Sequence, residues 1–232
     1  MKIGGFQKTS LLDYPDRISA IIWTVDCNFK CPFCYNKNLV NGNVELFNED
    51  EVLSFLNKRK GLLEALSISG GEPFLQKDIL EFTSKVKKLG YLVKIDTNGM
   101  FPEKLNELIN KNCVDYISMD VKAPKEKYNT LAGVKTNLKK IEKSIEIIKK
   151  SAPDYEFKTT FVPNLLKKKD IIEIAKWLEG SKRYYLQQFK SDTSLISSKL
   201  DNVAPYSKEY LIKTLEEIKP FFKNCSVRGV SL

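Results

Sequence analysis

Apolar, β-branched runs alternate with segments of helical periodicity almost from end to end, and this constrains the fold more than any other feature. Residues 17–25 (RISAIIWTV) are nearly all apolar, as a strand buried on both faces should be. Residues 65–69, 92–96, 115–121, 156–162 and 183–189 read as further strands, and 225–230 as a last edge strand. Between them, residues 48–60, 77–89, 102–110, 137–150, 169–178 and 208–218 read as helices. Asn48 is placed to cap the first, with Glu51 three residues on. The second aligns Ile79, Phe82 and Val86 and stops at Gly90. Six βα units with short connections imply a parallel sheet with helices outside it. A complete eightfold barrel typically takes about 250 residues. Six units in 232 residues therefore predict an α/β chain forming a partial, open (β/α)6 barrel or a doubly wound sheet. With no Pro/Gly/Ser-rich linker, residues 1–232 read as a single domain.

In either architecture the functional residues belong at the C-terminal ends of the strands. The unusual residues of this chain fall there. Cys27 follows the first predicted strand, Gly70-Gly71-Glu72-Pro73 the second, and Asp96-Thr97-Asn98-Gly99 closes the third. Asp120 and Lys122 close the fourth.

The chain has no histidine, which removes Ser-His-Asp and Cys-His nucleophiles, His general bases and His-ligated zinc. No apolar run approaches the roughly 18 to 20 residues of a membrane span. The first residues lack the apolar stretch of a signal peptide, so a cytoplasmic location is expected. Five cysteines, three of them within eight positions, argue against a secreted disulfide framework. The net charge of +9 could suit nucleic acid, an anionic cofactor or an acidic protein. Its basic residues are spread along helical segments such as VKKLG and LKKIEK, as solvated helix faces are.

Cys27, Cys31 and Cys34 form a C-x3-C-x2-C pattern on the loop after the first strand. Thiolates are soft ligands, and close spacing on a loop lets them converge on one metal centre. A structural zinc wants four ligands, and the fourth would have to be Cys113 or Cys225, neither paired in a second knuckle. An iron–sulfur cluster on three cysteines keeps one iron without a protein ligand, open to a small molecule. Buried apolar cysteines are the third reading, and the one that suits Cys113 and Cys225, each close to a predicted strand.

This loop, with the aromatic Phe33 just before its last cysteine, resembles that of the radical S-adenosylmethionine (SAM) enzymes. The resemblance implies a 4Fe–4S cluster on Cys27, Cys31 and Cys34, with SAM bound through its amino and carboxylate groups to the fourth iron. Gly70-Gly71-Glu72-Pro73 matches the family's second motif, whose backbone and Glu meet the methionine amino group. Asp96-Thr97-Asn98-Gly99 and Met119-Asp120-Val121-Lys122-Ala123 look like motifs of glycyl-radical-enzyme activating enzymes. By that likeness Phe33 lies near the adenine, Asp96 near the amino group and Lys122 near the ribose or carboxylate. Asn98 belongs to the same cofactor-binding turn. Asp96, Thr97 and Asp120 are placed where such enzymes help hold a monovalent cation. Lys158 stands where they carry an Arg toward the SAM carboxylate, and Tyr35 where many have His. The opening GGFQKTSLLDYP further resembles anaerobic ribonucleoside-triphosphate reductase activating proteins.

The likeness implies reductive cleavage of SAM and a glycyl radical formed on a partner protein. Its electron donor would be an acidic flavodoxin or ferredoxin, steered by the basic surface. Two other readings make different predictions. One is a radical SAM enzyme for a small molecule, similar to deazaguanine-forming synthases. The other is a basic nucleic-acid-binding module with a zinc site, whose binding would weaken steeply with salt.

Overall fold

The computed structural model describes residues 1–191 and 194–230. Its strands form a single eight-stranded sheet in the order β1 to β8. They are β1 (Ile3–Ser10), β2 (Ser19–Thr24), β3 (Ala65–Gly70), β4 (Leu92–Thr97), β5 (Tyr116–Asp120), β6 (Tyr155–Phe161), β7 (Ser181–Gln188) and β8 (Phe222–Arg228). The helices are α1 (Lys37–Val40), α2 (Glu49–Lys58), α3 (Ile79–Lys88), α4 (Pro102–Asn110), α5 (Tyr128–Ala132), α6 (Leu138–Ser151), α7 (Lys168–Trp177) and α8 (Lys208–Ile218). Each of β2 to β7 is followed by a helix, which makes the six βα units expected from the alternation. Neighbouring strands from β2 to β8 pair in parallel. A doubly wound sheet requires a point where strand order reverses. The order here runs monotonically from β1 to β8 with the two ends unpaired to each other, so the sheet is the open kind.

The helices form where the periodicity placed them. Asn48 caps α2 by accepting the Asp50 N–H at 2.9 Å. Gly90 ends α3 with φ of +93°. The apolar stripes of the longer helices pack into the core, as Ile141, Ile145 and Ile148 of α6 do. Strand β1 has no signal of its own in the sequence. Two glycines and a polar half conceal it, and it exists through antiparallel pairing with β2, with two register shifts. The one-turn helices α1 and α5 are likewise too short to leave a periodic signal.

The inner face of the sheet is polar. Register places Lys94 beside Tyr116, Asp96 beside Ser118, and Ser118 beside Glu156. One step toward the C-terminal ends, Asp120 lies beside Lys158, and Thr160 beside Gln187. Toward the N-terminal ends this interior is filled by a satisfied network. Glu156 accepts from Tyr116 Oη at 2.8 Å, Ser118 Oγ at 2.9 Å and both terminal nitrogens of Arg228 at 2.6 and 2.8 Å. Buried polar groups are tolerated when every member is paired in this way. Tyr14, on the loop after β1, packs on Tyr116 with ring centroids 5.8 Å apart. At the opposite end the interior stays open.

Candidate functional site

That opening is a cavity of about 200 Å3 at the C-terminal ends of the parallel strands. It is lined by all three cysteines of the cluster pattern, by Phe33, and by Gly70 and Gly71. Asp96, Thr97, Asn98, Asp120, Lys122 and Lys158 complete the set named from the sequence. Glu72 and Pro73 are the exceptions. Pro73 is buried at the start of a 3-10 turn, Pro73–Leu75. Glu72 is 1% exposed and lies behind the wall.

The cysteine loop is held from both sides by glycines. Its first residue, Asp26, turns the chain with φ of +73°. Gly71 passes so close that a Cβ there would lie 1.9 Å from the Asp26 carbonyl oxygen. Gly71 N–H and Glu72 N–H donate to the carbonyls of Thr24 and Asp26 at 2.8 and 2.9 Å. The double glycine therefore lets the backbone approach the start of the cysteine loop, in addition to lining the cavity. On the other side Lys30 N–H donates to the Ala132 carbonyl at 2.9 Å. Gly133, with φ of +69°, leaves no room for a Cβ, which would lie 2.0 Å from the Lys30 oxygen. Ser197 N–H donates to the Pro32 carbonyl at 2.9 Å, and the Tyr35 hydroxyl accepts from Lys190 N–H at 2.7 Å.

Burial pushes the Cys27 thiol up to about 12 and the Cys31 thiol up to about 11, and raises Cys34 as well. Lys122 opposes the shift at all three. A bound metal centre would supply the positive charge that makes them thiolates. Among the described residues no three His, Cys, Asp or Glu side chains converge as ligands of one metal ion. The three thiols instead border one cavity, an arrangement that fits a polynuclear cluster taking one thiolate on each of three irons.

Five charges alternate from buried Lys94, which does not line the cavity, through the four charged residues that do. Lys94 Nζ lies 2.8 Å from Asp96 Oδ1, and Lys158 Nζ lies 3.4 Å from the same oxygen. Lys158 also lies 3.7 Å from Asp120 Oδ2, whose other oxygen is 3.2 Å from Lys122 Nζ. Burial alone would raise the Asp96 carboxyl, but Lys158 and Lys94 hold it well below the usual carboxylate range. Burial would likewise lower Lys158 and Lys122, and the neighbouring carboxylates raise both instead. Three ammoniums against two carboxylates leave one positive charge in excess. Lys122 Nζ also lies 5.9 Å from the Phe33 ring centroid.

Glu72 braces the turn after β4. Its Oε1 accepts from Thr97 Oγ1 at 2.8 Å and from Phe74 N–H at 3.2 Å, and its Oε2 accepts from Asn98 N–H at 2.7 Å. Asn98 Nδ2 in turn donates to Asn28 Oδ1 at 2.8 Å, tying that turn to the cysteine loop. Around Asp96, Thr97 and Asp120, where the likeness implies a cation, lysines face both carboxylates, and the Thr97 hydroxyl donates to Glu72 and accepts from Gly99 N–H.

Sequence reasoning missed Lys94 and Gln76. Lys94 is a charge inside the apolar strand LVKIDT, two residues before Asp96 and so on its face, which was a usable signal. Gln76 Nε2 donates to the Val25 carbonyl at 2.8 Å and supports the end of β2. Nothing local to the sequence distinguishes it.

The family model described as the radical SAM superfamily matches residues 21–178. A protein of Methanocaldococcus jannaschii, provisionally named a glycyl-radical enzyme activating enzyme, is 33% identical over 99% of this chain and 96% of its own length. A second protein of that organism with the same provisional name is 32% identical over 76% of this chain and 68% of its own. Among solved structures, Streptococcus suis SuiB bound to S-adenosylmethionine superposes with a TM-score of 0.64 at 20% identity. That match covers 90% of this chain and 50% of SuiB. A domain of a pyruvate-formate lyase-activating enzyme from Bacteroides vulgatus gives 0.57 at 14% identity, covering 72% of this chain and 99% of the domain. These two likenesses are of fold.

Proposed function

The chain belongs to the radical SAM superfamily, and we propose on that premise that it is a glycyl-radical-enzyme activating enzyme. It cleaves SAM reductively and leaves a radical on a glycine of a partner such as an anaerobic ribonucleotide reductase. One observation carries this reading. Residues from five separate strand ends, namely the three thiols, Gly70-Gly71, Asp96-Thr97-Asn98, Asp120 with Lys122, and Lys158, meet at one cavity. The names of the relatives that span nearly the whole or most of this chain point the same way.

When bound, a 4Fe–4S cluster on Cys27, Cys31 and Cys34 supplies the single electron that cleaves the S–C5′ bond of SAM. The chain's own residues bind, orient and exclude water. Phe33 and Phe29 give the cavity apolar wall for the adenine side, and the backbone at Gly70 and Gly71 can approach a ligand closely. Lys158 and Lys122 present ammonium groups to a ligand carboxylate. Asp96 and Asp120 hold those ammoniums in place, and Glu72 acts through the Thr97–Asn98 turn. The unpaired edges β1 and β8 leave the sheet open for a peptide loop of the partner. The electron donor in this reading is an acidic flavodoxin or ferredoxin, and the enzyme works in the cytoplasm without oxygen. A +9 chain would steer such a donor, with a rate that falls as salt rises. No helix among the described residues is long and apolar enough to cross a membrane.

The test is formation of 5′-deoxyadenosine by protein reconstituted with iron and sulfide, given SAM and a strong reductant without oxygen. Wild type should form it and Cys31→Ala should not. A glycyl radical signal on the incubated partner would then identify the substrate. Absence of the nucleoside from protein carrying a full cluster would overturn the reading.

A further inference from the structure

We propose that the ammonium groups of Lys158 and Lys94 stand in for a monovalent cation, so that the cofactor site of this protein is complete without potassium or sodium. The inference rests on the radical SAM reading of the cavity and adds to it a property of this chain's own residues. The two carboxylates that could hold a cation, Asp96 and Asp120, end neighbouring strands and face the same cavity. Lys158 Nζ bridges them, 3.4 Å from Asp96 Oδ1 and 3.7 Å from Asp120 Oδ2. Lys94, two residues before Asp96 on the same face of β4 and 6% exposed, adds a second ammonium at 2.8 Å from Asp96. Lys122 does the same for Asp120 at 3.2 Å. Each carboxylate thus already faces two ammoniums. The Thr97 hydroxyl, a third oxygen a cation could use, donates to Glu72 at 2.8 Å and already accepts from Gly99 N–H at 3.1 Å.

Charge balance argues in the same direction. The three ammoniums and two carboxylates already carry one net positive charge before any ligand binds. A further cation would add a second positive charge in a poorly solvated place, which is unfavourable. Lysine suits the task because its ammonium is a compact point charge on a flexible stem, close in kind to a monovalent ion. An ammonium covalently attached to β6 also needs no recruitment from solvent.

The experiment uses the reconstituted protein in potassium, sodium and choline chlorides at equal ionic strength. Binding of radiolabelled SAM is measured by equilibrium dialysis, and the melting temperature is taken on the same samples. Wild-type affinity should agree within about twofold across the three salts. Lys158→Met should bind about tenfold or more weakly in choline and recover most of that loss in potassium. Lys158→Arg, which keeps the charge, should stay indifferent to the salt. Wild-type binding that tightens about tenfold in potassium over choline would overturn the proposal, as would a Lys158→Met defect equal in all three salts. If wild type binds no SAM in any salt, the radical SAM reading fails separately, and the melting temperatures decide. Lys158→Met stabilised by potassium over choline, against an indifferent wild type, supports the built-in cation. No such difference overturns it.

Discussion

Glu72 grips the backbone of Asn98: its Oε2 accepts the Asn98 N–H at 2.7 Å, while the carboxylate itself stays out of the cavity that Asn98 lines. Burial lifts this carboxyl to about 7, against the pull of the Asn98, Thr97 and Phe74 donors. An acid whose folded pKa lies above its unfolded value near 4.5 favours the folded state below that value and loses the advantage as pH rises toward 7. The shift corresponds to about 3 kcal/mol. Asp96 titrates well below this window, and Cys27 and Cys31 well above it. The melting temperature of the metal-free protein should therefore fall between about pH 5 and pH 7, and Glu72→Gln should flatten that slope. Its amide would also set a donor against a backbone N–H, costing about 1–3 kcal/mol at the acidic end. Thermal melts at several pH values check both effects.

Asp96→Asn removes the carboxylate shared by Lys94 and Lys158 and leaves both ammoniums short of a partner. Breaking a buried pair from one side typically costs about 3–5 kcal/mol. Adding Lys94→Met removes one of the stranded charges, so the double variant should regain part of the stability. Urea unfolding of the two single variants and the double gives the coupling energy directly.

The cysteine loop depends on two glycines that touch it from opposite sides. Gly71→Ala would put a Cβ against the Asp26 carbonyl, and Gly133→Ala would put one against the Lys30 carbonyl, in a left-handed conformation besides. Backbone rather than a flexible side chain must shift in each case. Both variants should retain helical circular dichroism but bind several-fold less iron after reconstitution. Iron and sulfide analysis measures the loss.

Five cysteines divide into two classes. Cys27, Cys31 and Cys34 line the cavity, whereas Cys113 and Cys225 do not. Alanine at 27, 31 or 34 should abolish the cluster absorbance, and alanine at 113 or 225 should leave iron stoichiometry at the wild-type level. Loss of iron in Cys113→Ala with the fold intact would show that the assignment of ligands is wrong.

Much of the architecture could be read locally. Helices such as 102–110 and 208–218 fall at the predicted residues because a 3.6-residue apolar stripe and its flanking Pro or Ser are local signals. The site's position followed from parallel-sheet topology, since unusual residues at successive strand ends must meet at one end of the sheet. Strand β1 escaped because pairing with β2, not its own composition, makes it a strand.

The sequence by itself determined the βα repeat, the triple-cysteine loop and the motifs after the first four predicted strands, because each is written in adjacent residues. Only the tertiary structure decided what those motifs do to one another. It makes Glu72 a brace on Asn98, aims Gly71 at Asp26, and sets Lys94 and Lys158 on the carboxylates. Those partners lie on different strands, and their meeting depends on sheet register. Their charge balance depends on how far burial strips water from each group, which no stretch of residues encodes alone.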